Sequence, residues 1–176
     1  MAEAGLDLKT FIRTVQDFPT PGIEFKDISP LLAEAKAFAQ SIEMIARHYE
    51  KEKIDYVAGI EARGFIIASA LSLRLQTGLL PIRKRGKLPG PVITLDYELE
   101  YGSAALELQK SSIPEDAKVL IVDDVLATGG TAECAGRLIT LAGGKIVGFA
   151  FLISLESLEG KKRIANYEEL TILRYE

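Results

Sequence analysis

The residues best suited to chemistry are concentrated in one stretch, KVLIVDDVLATGGTAE, residues 118–133. An apolar run, Val119, Leu120, Ile121 and Val122, ends on two adjacent acids, Asp123 and Asp124. A turn of small and hydroxyl residues follows, Ala127, Thr128, Gly129, Gly130 and Thr131, and then Ala135, Leu138 and Ile139 fall at helical spacing. The pattern predicts strand, loop and helix. Glycines lack Cβ and tolerate unusual backbone angles, so this loop can approach a ligand closely. Free N–H groups at a helix start favour a phosphate, and Thr128 and Thr131 add hydroxyl donors. A carboxylate at the strand end accepts hydrogen bonds from adjacent hydroxyls, as on a ribose. Two acids directly after a buried-type strand are costly without such a polar task. Phosphate beside diol predicts a ribose 5-phosphate. Two familiar phosphate loops fail on spacing: no lysine follows these glycines as GxxxxGK[ST] requires, and the stretch lacks GxGxxG.

Two further segments carry charge suited to an anion. Glu61, Ala62, Arg63 and Gly64 follow an apolar run ending at Gly59 and Ile60. A turn with arginine and glycine just before a helix suits a pyrophosphate, although a plain capping turn with a solvated arginine has the same letters. RKRGK places Arg83, Lys84, Arg85 and Lys87 within five residues. Such runs are usually solvated, but this one follows a strand, and separate cradles for a 5-phosphate and a pyrophosphate explain why two anion segments exist.

The elements that must position these segments are legible from periodicity. Residues 6–15 read as a short amphipathic helix through Leu8, Phe11, Ile12 and Val15. PTPGIEFKDISP, with Pro19, Pro21, Gly22 and Pro30, predicts an extended loop containing a short strand. Phe38, Ile42, Ile45, Ala46 and Tyr49 predict a helix. Strands are expected over 55–60, 79–82, 118–122 and 145–153, with an edge strand over 170–173 and an apolar helix over 65–75. Residues 92–108 alternate and break at Tyr101-Gly102, as a β-hairpin arm does. Strands alternating with helices predict an α/β fold, a parallel central sheet flanked by helices. Ligands of such sheets bind outside the carboxyl ends of the strands, so the three charged segments should converge. The expectation is a single domain over 1–176, with the basic loop and flexible arm at 83–108 serving as a lid.

Composition bounds the partners. The chain has 176 residues, 48% of them hydrophobic, a net charge of −4 and one cysteine. The acidic balance argues against general nucleic-acid binding. No apolar run approaches the roughly 20 residues of a membrane span, and the N-terminus lacks a secretory pattern. The expectation is therefore a cytoplasmic protein. Cys134 permits no intrachain disulfide and reads as a small buried residue. His48, the only histidine, reads as a surface residue.

The acids and the Thr/Gly loop resemble the phosphoribosyl-diphosphate (PRPP) binding motif of the type I phosphoribosyltransferases. FPTPGIEFKDISP, ARGF, RKRGKLPG, LEYG and VDDVLATGGT, in that order, are similar to the adenine-using branch of this family. The resemblance implies transfer of the 5-phosphoribosyl group of PRPP to adenine, giving AMP and pyrophosphate, in purine salvage. It implies a hairpin hood over the site and a homodimer. It also implies Mg2+ held mainly through PRPP, pyrophosphate and water, with no metal site built from protein ligands.

By the same resemblance, Phe25 stacks on adenine and the backbones of Glu24 and Lys26 read its edge. Arg63 lies near adenine and pyrophosphate. Arg83, Lys84 and Lys87 bind pyrophosphate, Lys87 from either its own subunit or its neighbour. Glu100, beside Tyr101 on the arm, is the candidate proton carrier at purine N7. Asp123 and Asp124 hold the ribose hydroxyls, and Ala127, Thr128, Gly129, Gly130 and Thr131 hold the 5-phosphate. A 6-oxopurine enzyme would carry a further acid in the phosphate loop, where this chain has Val125, Leu126 and Ala127. A PRPP-sensing regulator would normally add a helix-turn-helix domain or a basic face.

Overall fold

The computed structural model describes residues 5–99 and 102–176. In chain order its elements are a 3-10 turn Leu8–Phe11, β1 Arg13–Val15, β2 Phe25–Asp27, α1 Ser29–Ala33, α2 Ala35–His48, β3 Tyr56–Ile60, α3 Gly64–Leu75 and β4 Gly78–Lys84. They continue with β5 Val92–Leu99, β6 Gly102–Gln109, β7 Lys118–Leu126, α4 Gly130–Leu141, β8 Lys145–Leu155, two 3-10 turns at Glu156–Leu158 and Gly160–Ile164, and β9 Glu169–Tyr175.

A seven-stranded sheet runs in the order β5-β6-β4-β3-β7-β8-β9. β4, β3, β7, β8 and β9 are mutually parallel. The hairpin β5–β6 joins antiparallel to the outer end of β4, through Arg83↔Glu107 and Lys84↔Leu106. Successive strand residues point to opposite faces, so β7 feeds two cores. Val119 and Ile121 pack with α4 residues Ala135, Leu138 and Ile139. Leu120 and Val122 pack with α2 and α3 through Ile42, Ile45, Ile67 and Leu71. Both faces are covered, which is why the strands read as continuous apolar runs.

Residues 6–15 depart from the helical reading. Only Leu8–Phe11 coils, with the Asp7 carboxylate accepting from Lys9 N–H. Arg13–Val15 is instead a strand paired antiparallel with β2, Val15 opposite Phe25. The β-branched run Ile12, Thr14, Val15 favours extension, and a distant strand supplies its backbone partners. β7 also exceeds its predicted end. It runs through both acids to Leu126 because β8 continues to pair with it, up to Leu126↔Ser154.

The hairpin is part of the sheet at its base. Leu106 and Leu108 are 1% exposed, each contributing roughly 1.5–3 kcal/mol of burial.

Candidate active site

The carboxyl ends of β3, β4 and β7 bring the three charged segments together. β3 ends at Ile60 and the chain turns through Glu61, Ala62 and Arg63 into α3; the Glu61–Ala62 peptide is cis. Gly64 makes the approach possible. A Cβ there would lie 2.8 Å from Asp123 Oδ1 and 3.0 Å from the Val122 carbonyl oxygen. The start of α3 therefore rests directly on the acidic end of β7.

The Arg63 side chain connects two parts of the site. Its Nε lies 2.6 Å from Asp124 Oδ2, and its guanidinium sits 4.7 Å from the centre of the Phe25 ring. Asp124 is buried, and its Oδ2 makes this ion pair without an aligned hydrogen bond. Burial pushes the Asp124 carboxyl above its usual range, with Arg63 opposing. Asp123 is half-buried as a residue, and its Oδ1 accepts from Asp124 N–H at 2.9 Å. Burial and the adjacent Asp124 charge push its pKa well up. Each acid has one polar partner, Arg63 for Asp124 and the Asp124 amide for Asp123, and a carboxylate has acceptor capacity beyond a single partner.

Below the acids, α4 begins at Gly130 with no side-chain cap, so its first-turn N–H groups are free of capping partners. Gly129 precedes it at φ 80°, a conformation that disfavours side chains. A cavity of about 70 Å3 is lined there by Asp123, Ala127, Thr128, Gly129, Thr131 and Phe151. Larger hollows of about 410 and 840 Å3 lie elsewhere and include none of these residues; size alone does not mark this site.

Glu61 organises the basic loop. It accepts from Arg83 Nε at 3.2 Å and from Lys84 N–H at 3.0 Å. Partial burial raises its pKa, but the Lys84 amide and the Arg83 charge outweigh this and hold it below its ordinary value. Arg83 Nη1 also donates to the Lys87 carbonyl at 2.8 Å. Glu107, 5% exposed, accepts from Gly86 N–H and Thr94 Oγ1 and pins the loop to the hairpin. Among the described residues, Arg83 and Arg85 pair with Glu61 and Asp96, and no ion pair of Lys84 or Lys87 occurs.

Phe25 lies on β2, edge-on to Phe18 at 5.1 Å. Its neighbours turn their side chains elsewhere. Glu24 accepts from Gln16, while Lys26 Nζ lies 3.3 Å from Glu24 Oε2 and over the Tyr175 ring. Glu100 and Tyr101 lie outside the described residues.

Several site residues escaped sequence reading. Glu107 sits between Leu106 and Leu108 in a strand, and nothing local distinguishes it from a solvated acid. Tyr97 on β5 accepts from Thr131 Oγ1 at 3.3 Å, docking the arm on the phosphate loop. Cys134 and His48 match expectation: Cys134 is buried, with its thiol pKa raised by burial, and His48 pairs with Glu168 at 2.6 Å on the surface.

The carboxyl ends of the parallel strands thus bring together an acid pair, a glycine loop on a helix start and a basic loop, in an α/β fold. The family model described as "Phosphoribosyl transferase domain" matches residues 27–173. The chain is 47% identical over 170 residues to the adenine phosphoribosyltransferase of Roseiflexus castenholzii, covering 97% of this chain and 99% of that one. It is 48% identical over 169 residues to that of Halothermothrix orenii, covering 96% and 99%. The crystal structure of the Thermoanaerobacter pseudethanolicus enzyme superposes with a TM-score of 0.93 at 44% identity, covering 96% of this chain and 98% of that one. The Saccharomyces cerevisiae enzyme, solved with adenine and an imino-altritol bisphosphate, superposes with a TM-score of 0.89 at 37% identity, covering 94% and 96%. The chain belongs to the adenine phosphoribosyltransferase family.

Proposed function

We propose that this protein transfers the 5-phosphoribosyl group of PRPP to adenine, forming AMP and releasing pyrophosphate. The observation that carries the reading is Arg63, held between the Asp124 carboxylate and the Phe25 ring. That position joins a base platform to a ribose site. Adenine stacks on Phe25, with the backbones of Glu24 and Lys26 reading its edge. Asp123 and Asp124 take the ribose hydroxyls. The backbone from Ala127 to Thr131, with the Thr128 and Thr131 hydroxyls, takes the 5-phosphate. Arg83, Lys84 and Lys87 take the pyrophosphate.

Bond breaking at ribose C1 builds positive charge on the sugar and negative charge on the leaving group. The acids and the basic loop sit where each charge develops, and preorganised charge lowers such a barrier. The base nitrogen bonds to C1 as the C1–O bond to pyrophosphate breaks. Glu100, with Tyr101 beside it, accepts the proton that the purine gives up at N7 as N9 bonds to C1.

Mg2+ fits this site as a companion of the substrate. Such ions keep several waters and bind largely through phosphates, and the buried Asp124 carboxylate is already paired with Arg63, so the ion would be held through PRPP, pyrophosphate and water. When bound, the ion neutralises pyrophosphate charge.

The reading includes a single domain, a cytoplasmic setting and a homodimer. A second copy is favoured by the apolar surface of α3 and β4, where Ile66 is 43%, Leu73 81% and Leu79 41% exposed. Lys87 then acts from its own subunit or from its neighbour. Light scattering should report twice the chain mass for the parent and a smaller species for Leu73→Glu; a monomeric, fully active parent would overturn the dimer. Production of AMP and pyrophosphate from adenine, PRPP and Mg2+ tests the reaction itself, and absence of AMP would refute it.

A further inference from the structure

We propose that Gly160 is a positioning residue for the 5-phosphate loop, acting from a segment that touches no substrate in the reading above. The inference rests on that reading of residues 127–131 as the phosphate cradle. The short turn Gly160–Ile164 packs against the loop backbone to backbone. A Cβ at Gly160 would fall onto the Ala127 carbonyl oxygen and lie 2.8 Å from Gly129 N. The converse also holds: a Cβ at Gly129 would meet the Gly160 carbonyl, with the Gly160 Cα at 3.0 Å. The two glycines are thus mutually required.

The reasons for glycine differ at the two positions. Gly129 adopts φ 80°, which already disfavours a side chain. Gly160 is not among the positive-φ residues; the one at positive φ is its neighbour Glu159, at 53°. Glycine at 160 is therefore needed for space alone. Obstruction at Gly129 likewise comes from behind the loop, from Gly160, and not from the ligand side.

The buttress is fastened to two elements. Lys161 Nζ pairs with Glu169 Oε2 at 3.0 Å, and that carboxylate side chain is 1% exposed. Arg163 pairs with Glu133 in the first turn of α4 at 3.0 Å. Ile164 is buried in the core shared with α4. The loop runs into α4 and is backed by this turn, which is itself tied to α4, so its N–H groups are preorganised before phosphate arrives. Alanine at 160 pushes Ala127 and Gly129 forward into a cavity of about 70 Å3.

The test is steady-state kinetics with calorimetry on Gly160→Ala, Lys161→Ala and the double variant Thr128→Ala/Thr131→Ala. Gly160→Ala should raise the PRPP KM and the AMP Kd at least tenfold, with kcat at saturation within threefold and the adenine KM unchanged. Lys161→Ala, which loosens the clamp from an exposed position, should raise the PRPP KM two- to fivefold. A folded Gly160→Ala with a PRPP KM within twofold of the parent overturns the inference. If Gly160→Ala does not fold, an unchanged PRPP KM in Lys161→Ala overturns it. The threonine variant separates the two levels: if it leaves PRPP and AMP binding untouched, the phosphate cradle itself is misplaced. If it weakens them while the other two variants do not, only the role of Gly160 fails.

Discussion

Arg63 Nε stands 2.6 Å from Asp124 Oδ2 while the same guanidinium lies 4.7 Å from the Phe25 ring centre. One side chain thereby fixes the distance between the aromatic platform on β2 and the acidic end of β7. Lysine cannot replace it, since an ammonium lacks the planar fork and the stacking face. Arg63→Ala and Arg63→Lys should both lower kcat/KM by roughly 10²–10³-fold, the scale of losing one preorganised charge contact. A lysine variant within threefold of the parent would show that only the charge matters.

The acid pair should trade stability for function. Burial, then the neighbouring Asp124 charge, raises the Asp123 pKa in the folded protein. Between the unfolded value near 3.9 and that raised value, the native state binds more protons than the unfolded one. Stability contributed by this group therefore falls as pH rises through that window. Asp123→Asn removes the cost, and its Tm at pH 7.5 should exceed the parent's by about 2–4 °C for each kcal/mol relieved. The gain should shrink as pH approaches 4, while PRPP turnover is lost at every pH. A variant less stable than the parent at pH 7.5 would contradict the raised pKa.

Glu100→Gln preserves shape and hydrogen bonding but removes the titrating group. Proton transfer by a positioned side chain contributes roughly 10²–10⁴-fold, so kcat should fall by that factor with PRPP binding nearly intact. Turnover within a few-fold of the parent would assign the proton to water and reduce the arm to a cover.

Much of this site was legible in the sequence because its signals are local. An apolar run, two acids and a Thr/Gly turn declare strand, acidic strand end and glycine loop before a helix within residues 118–133. The order of strands and helices then places EARG and RKRGK at the same sheet edge, and the Glu61 contacts to Arg83 and Lys84 realise that convergence. What escaped was set by distant partners. Arg13–Val15 became a strand because β2 pairs with it, against its own helical period. β7 outran its apolar stretch because β8 continued beside it. Glu107 and Gly160 look unremarkable locally. Their roles depend on an amide 21 residues away in one case and on a loop approached backbone to backbone in the other.

Base selectivity tests the central claim most directly. In the proposed reading a backbone carbonyl beside Phe25 accepts from the exocyclic amine of adenine, whereas a 6-oxopurine would set oxygen against it. Leaving that buried acceptor unpaired costs about 1–3 kcal/mol, or roughly 5–150-fold at 1.4 kcal/mol per decade. The decisive measurement is kcat/KM for adenine, hypoxanthine, guanine and xanthine with saturating PRPP and Mg2+. Adenine should exceed each 6-oxopurine by at least about fivefold. Comparable values for adenine and hypoxanthine would contradict backbone recognition at Glu24 and Lys26, and with it the assignment of adenine as the acceptor.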